Sequence, residues 1–292
     1  MNELTYGIPS GLIALSLLLS LMVAIEVGFR VGRVALARGA TASAASQEHI
    51  NGIQTSILGI LALLLAFTLS LALQRFDSRS AAVVDEANAI GTAYLRAQLL
   101  RAPMRADVQA LLREYLDLRV EASKMSIVEE DRHAGQLADA MRLQSALWAQ
   151  AVQAAEADPN PVSSGLFIES LNELFDSFSR RDAGLNRHVP ELVLLLLFVA
   201  FLMAGGIVGY ACGAAGHRPS LVSYVMVALI VVLVFIVIDL DRPRRGLILV
   251  SQKSLLDLQA SLRAGDAGAG NARRGPAEAV TLPSAPAGSG QR

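Results

Sequence analysis

The sequence predicts an all-α membrane protein: four transmembrane helices with a helical extramembrane insert between the second and third. Three observations point there. The chain is 53% hydrophobic and only 17% charged, with a mean hydropathy of +0.46, which is too apolar for an ordinary soluble domain. Its apolar residues are gathered in runs at 8–28, 53–73, 191–210 and 221–238, each close to the ~20 residues that a helix needs to cross hydrocarbon. The polar stretch between the second and third runs repeats its apolar residues at helical spacing. Four core helices of a soluble protein are the alternative, but such a helix carries a polar stripe and 192–210 carries none.

The first run lies within 1–52 and is followed by Ala35-Leu36-Ala37, a small-residue pattern of the kind cut in signal peptides. The residues before the run include Glu3 and no Lys or Arg, however, and Arg30 and Arg33 stand between the run and that pattern. A retained first span is expected. The second span, 53–73, continues without a helix breaker into RFDSRSAAVVDEANAIGTAYLR. No Gly or Pro interrupts the chain between Gly59 and Gly91, a stretch that would measure roughly 46 Å as one helix against a hydrocarbon core of about 30 Å. This helix should cross the bilayer and project from it.

The insert, 74–189, places Val83, Ala87, Ile90 and Tyr94 on one helical face. Val108, Leu111, Leu112 and Tyr115 follow the same spacing, as do Leu137, Met141, Trp148 and Val152, and finally Phe167, Leu171, Leu174 and Phe178. A helical bundle follows, with Pro103 opening one helix and Ala157-Asp158-Pro159-Asn160-Pro161 separating two others. The polar stretch 129–132 is a further boundary, and Ser163 and Ser164 are candidate N-caps for the helix ending near His188. Pro190 either starts or kinks the third span, and the third and fourth spans occupy 190–240. Beyond them Pro243 and Gly246 break the helix. Leu255, Leu258 and Leu262 then give a short amphipathic helix within 241–263 that should dock on the insert. The Gly-, Ala-, Pro- and Ser-rich segment 264–292 reads as a disordered tail.

Four spans put both termini and the insert on one side of the membrane. Arg30, Arg33 and Arg38 argue for the short first loop inside, whereas Arg242, Arg244 and Arg245 after the fourth span argue for the insert inside, and a cytoplasmic insert is the expectation. The net charge is −1 and no basic stripe is interleaved with aromatics, so nucleic acid is not an expected partner. Cys212 is the single cysteine, which excludes an intrachain disulfide.

Within the second span Thr55, Gly59, Ala62, Ala66 and Ser70 form one small, weakly polar face. Such a face lines a pore, contacts a neighbouring subunit, or lets the other three spans approach closely. Gly205, Gly209 and Gly213 step by four along the third span, as a packing seam does; a hinge is the alternative. Charges at span ends need partners or water. Glu26 is placed to pair with Arg30; Arg75, Asp77 and Arg79, near a span end, fit interfacial anchors; and Asp239, Asp241 and Arg242 resemble a charge network at the membrane edge. Asp85, Glu86 and Asn88 fit a polar helix face better than a metal site, since adjacent helix positions point apart. His49, His133, His188 and His217 are scattered without ligand spacing. No nucleophile pattern, P-loop or dinucleotide fingerprint is present, so neither an enzyme nor a cofactor is expected.

The stretch FTLSLALQRFDSRSAAVVDEANAIGTAYLRAQLL, with DLDRPRRGLILVSQKSLLDL after the fourth span, resembles the bacterial bestrophin-like domain family over roughly 53–262. Phe67, Ser70, Arg75, Phe76, Arg79, Glu86, Ala87, Asn88, Ile90, Gly91 and Thr92 carry the resemblance, with Asp239, Asp241, Pro243 and Gly246. It extends more distantly to bestrophins, oligomeric anion channels in which the second membrane helix lines the pore. This sequence lacks their aromatic neck beyond Phe67 and their acidic run after the fourth span, so calcium gating is not implied. The resemblance implies a homo-oligomeric channel of the bacterial inner membrane, with chloride or another small anion as the partner. The stretch Arg75, Phe76, Asp77 and Arg79 would then form its mouth, where Arg75 and Arg79 would concentrate the anion. A non-conducting scaffold or sensor whose insert binds a partner is the alternative.

Overall fold

The computed structural model describes residues 9–39, 44–124, 130–185, 190–242 and 246–274, and among them the chain forms eight α-helices. They are α1 (Ser10–Ala37), α2 (Ala44–Arg96), α3 (Met104–Lys124), α4 (Glu130–Ala157), α5 (Leu166–Leu185), α6 (Glu191–Ala214), α7 (Leu221–Asp241) and α8 (Lys253–Arg274). Helices α1, α2, α6 and α7 are long and apolar enough to span a membrane, and α3 to α5 lie between the second and third of them. The all-helical, four-span architecture expected from the sequence is the one observed.

Two hydrophobic cores are strung on α2. In the membrane region one core gathers Leu61, Leu65 and Ala72 of α2, Leu17, Leu21 and Ile25 of α1, Leu197 and Phe201 of α6, and Val227, Val234 and Val237 of α7. Farther along the same helix Val83, Ala87 and Ile90 join a second core with Leu112 and Leu116, Leu143 and Leu147, Phe167, Leu171 and Leu174, and Leu255 of α8. With 53 residues α2 is about 80 Å long, so it crosses the hydrocarbon and forms the spine of the insert.

Helices α1 and α6 meet through glycines. A Cβ at Gly209 would lie 2.0 Å from the Ile25 carbonyl oxygen, one at Gly213 2.2 Å from that of Phe29, and one at Gly205 3.0 Å from the Leu21 side chain. From the other side, a Cβ at Gly28 or Gly32 would lie 2.0 Å or 2.3 Å from the Gly206 or Tyr210 carbonyl oxygen. These residues make a close-packed seam, as small residues do where no hydrophobic effect drives helices together. The membrane region is bracketed by arginines. Arg242 donates to Ser10 Oγ at 3.4 Å at one end of α1, and Arg33 and Arg218 lie 6.0 Å and 5.8 Å from the Phe29 ring centroid at the other. Ser10 and Phe29 are roughly 28 Å apart along the helix, one hydrocarbon thickness.

Several boundaries differ in detail from the sequence expectation. Pro190 starts the third span: its carbonyl accepts from the Val193 amide at 2.9 Å, and a proline ahead of the first turn leaves no helical donor unused. Asn160, and neither Ser163 nor Ser164, caps the turn before α5; its Oδ1 accepts from the Val162 amide at 2.9 Å. The two hydroxyls lie one turn too late to cap and donate back instead, Ser163 to Asp158 Oδ2 at 3.1 Å and Ser164 to the Asp158 carbonyl at 2.6 Å. α8 continues to Arg274, past Ala264 where a disordered tail was expected to begin, although Gly265, Gly268 and Gly270 each disfavour a helix by about 1 kcal/mol relative to alanine. The rest of that segment, 275–292, lies outside the described residues, as do Glu3, Glu129, Arg187, His188, Pro243, Arg244 and Arg245.

Candidate functional site

The membrane-spanning part of α2 has two sides. Leu61, Leu65, Thr68 and Ala72 face the helical bundle and are buried, and Thr68 satisfies its hydroxyl on the Leu64 carbonyl at 2.8 Å. Thr55, Gly59, Ala62, Ala66 and Ser70 are all exposed on the opposite side. A Cβ at Gly59 would meet nothing within 4 Å. The small residues of α2 therefore do not serve close packing against the other three spans of the same chain, in contrast to the glycines of α6. Their face is open.

Arg75, Asp77 and Arg79 do not share one mouth, because positions two apart on a helix point to opposite sides. Arg75 and Arg79 turn inward to the end of α7. Arg75 Nη1 is 3.4 Å and Arg79 Nη2 4.0 Å from Asp241 Oδ1, while Arg79 Nη1 donates to the Asp241 carbonyl at 3.4 Å and its Nε to the Arg75 carbonyl at 3.2 Å. Asp77 is exposed and lies seven, eleven and eighteen residues beyond Ser70, Ala66 and Gly59, each interval close to a whole number of turns. The same intervals place exposed Glu48 in line with Gly59 and Ala66 at the other end. The third arginine of α2, Arg96, is engaged by the Leu166 carbonyl at 2.9 Å and Glu169 at 3.2 Å. The open face of α2 thus carries carboxylates at both ends and none of its arginines.

Asp239, Asp241 and Arg242 are buried at the membrane edge and each has a partner. Asp239 Oδ2 accepts the Ile248 amide at 2.9 Å, Asp241 receives Arg75 and Arg79, and Arg242 reaches Ser10. Arg75 and Arg79 thus meet at Asp241, while the side chains of Asp239 and Arg242 reach the Ile248 amide and Ser10. Glu26 and Arg30 pair at 2.8 Å on the exposed side of α1.

Glu86 is the residue that helical-face reasoning misplaced. Asp85 and Asn88 are exposed, but Glu86 is 0% exposed. It lies in the part of α2 that has left the membrane, about 20 Å beyond Leu73. Arg119 Nε donates to it at 2.6 Å, and Arg181 Nη1 donates to its other oxygen. Arg181 also donates to Gln252 Oε1 at 2.8 Å, and the Arg119 guanidinium lies 4.7 Å from the Phe178 ring centroid. Burial pushes the Glu86 carboxyl up, but the charges and hydrogen bonds of Arg119 and Arg181 outweigh it and hold the group below the ordinary carboxylate range. Burial and the Glu86 charge push the nearby Tyr115 phenol upward. The network ties α2, α3, α5 and the segment before α8 into one body. A signal for it was present, since Glu86 interrupts the apolar stripe of Val83, Ala87, Ile90 and Tyr94. Among the described residues no group of three or more His, Cys, Asp or Glu could hold a metal ion.

The bestrophin-like domain family model matches residues 14–255. None of the curated proteins matches the sequence. Two point-mutant crystal structures of a bacterial bestrophin homologue from Klebsiella pneumoniae are similar in fold, each 16% identical to this chain. One gives a TM-score of 0.58 and covers 84% of this chain and 99% of its own; the other gives 0.59, 84% and 98%.

Proposed function

Because the chain belongs to the bestrophin-like domain family, we propose that it assembles into an oligomeric membrane channel in which the open face of α2 lines the pathway. The observation that carries this reading is the exposure of Thr55, Gly59, Ala62, Ala66 and Ser70 opposite the buried side of the same helix. Small side chains leave room for permeating ions where several copies of α2 surround an axis, and the flanking leucines and Phe67 can form a constriction that gates by dewetting. The charge on that face points to cations. The anion expectation came from the resemblance, with Arg75 and Arg79 to concentrate the ion, and both are turned to Asp241. Asp77 and Glu48 stand at the two ends of the face instead, and rings of carboxylates favour cations. The bacterial inner membrane with a cytoplasmic insert is the setting proposed, supported by Arg242, Arg244 and Arg245 after the fourth span.

Purified protein in liposomes should pass sodium or potassium in preference to chloride, and Ala66→Trp should abolish the flux. Flux no greater than from empty liposomes, across pH and voltage, overturns the channel. Flux with a chloride-selective reversal potential overturns the charge assignment. A second reading, a non-conducting sensor, draws on the rigid joint between α2 and the insert around Glu86. A stable partner captured by the full chain in detergent, together with absent flux, would favour it.

A further inference from the structure

Immediately after the fourth span the chain folds back against the helix it has just left. A Cβ at Gly246 would lie 2.7 Å from the Asp239 carbonyl oxygen and 2.9 Å from its carboxylate, and the Ile248 amide donates to that carboxylate at 2.9 Å. Asp239 belongs to the last turn of α7, so 246–248 is pinned at the level where α7 reaches the membrane edge. Ser10, the first residue of α1, is at the same level through its contact with Arg242.

Earlier turns of α7 show Val225, Leu229 and Val232 outward, as a lipid-facing helix does, but its final residues from Val237 to Asp241 are all buried. The folded-back segment helps to cover Asp239 and carries the outward apolar groups at this level. Leu247 is 83% exposed and Leu249 59% exposed, whereas Val250 turns inward to the insert core. Leu12 and Leu15 are likewise exposed on the first turns of α1, at the same end of the membrane region. We propose that Leu247 and Leu249 form an interfacial anchor that dips into the acyl-chain boundary of the leaflet beside the insert. The occupant is lipid because the pair is held at membrane-edge depth, at the end of the helix whose earlier turns present Val225, Leu229 and Val232 outward. The anchor fixes the height of the C-terminal segment, and with it Gln252 and α8, relative to the bilayer.

The test uses the full chain in phosphatidylcholine liposomes whose acyl chains carry bromine near the carbonyl. Trp148, the single native tryptophan, supplies the baseline. Leu247→Trp and Leu249→Trp are compared with Val162→Trp, whose exposure lies between theirs but which sits at the turn between α4 and α5. Emission from the added tryptophan at 247 or 249 should fall at least about twofold more with brominated lipid than at 162, with aqueous iodide giving the reverse order. Equal quenching at all three sites overturns the anchor. So does protection at 247 and 249 from both quenchers, as burial against a second copy would give. Both leucines point outward, and the second site keeps the test decisive if one substitution prevents folding.

Discussion

Replacing Glu86 by Gln should destabilise the insert by about 3–5 kcal/mol, the cost of leaving buried charge without its counterion. Glu86 is the carboxylate shared by two guanidiniums, with Arg119 Nε at 2.6 Å and Arg181 on the other oxygen. Glutamine keeps the shape and one acceptor oxygen but offers a donor where Arg181 or Arg119 also donates. The two guanidiniums then face each other in a site that excludes water. Trp148 reports on this region, since its ring lies 6.4 Å from Phe175 within the insert, so unfolding of the purified protein in detergent can be followed by tryptophan emission. Asp85→Asn, one position away and exposed, should change stability by less than about 0.5 kcal/mol. The pH dependence adds a second handle. The carboxyl of Glu86 is lowered in the native protein, so its stabilisation is complete above the unfolded-state value of about 4.3 and is lost as pH falls through the lower native value. Wild-type protein should lose insert stability in that acid window, and Glu86→Gln should lack this component. A Gln variant within about 1 kcal/mol of wild type at neutral pH refutes the reasoning, because it would mean that the arginines are solvated without Glu86.

Gly209→Val and Gly59→Val should separate packing from open surface: the first places a side chain where even a Cβ lies 2.0 Å from the Ile25 carbonyl oxygen, the second where nothing lies within 4 Å. Thermal unfolding in detergent should fall for Gly209→Val by at least the about 1–3 kcal/mol typical of overpacking and hardly change for Gly59→Val, and equal effects would remove the seam. Asp77→Arg should shift the reversal potential of reconstituted protein toward chloride while leaving stability unchanged, whereas an unaltered potential would detach Asp77 from the pathway.

Much of the architecture was legible because membrane spans declare themselves through length and hydropathy, and because an absence of Gly and Pro from 60 to 90 permits one helix to continue out of the bilayer. The destination of each helical face was less so. Thr55 to Ser70 were recognisable as a set, but periodicity does not say whether small residues meet a partner helix or open space; only the positions of Leu61, Leu65 and α6 decide that. Arg75, Asp77 and Arg79 were grouped through the resemblance, although helical arithmetic alone separates Asp77 from the two arginines. Glu86 was grouped with Asp85 and Asn88 on a polar helix face, and its partners Arg119 and Arg181 are too distant in sequence to announce themselves. Gly28 and Gly32 repeat the four-residue step of α6 and could have been read as its counterpart.

The glycine joint between α1 and α6 also constrains how the chain is made. α1 packs mainly on α6 and barely touches α2, its neighbour in sequence. At about 5–20 residues per second, a ribosome needs on the order of ten to thirty seconds to pass from the end of α1 to the end of α6. During that interval α1 waits in the bilayer without its principal partner, while α3, α4 and α5 emerge and can begin to assemble on the projecting end of α2. The seam between α1 and α6 therefore forms only after α3, α4 and α5 have emerged, and it joins segments far apart along the chain.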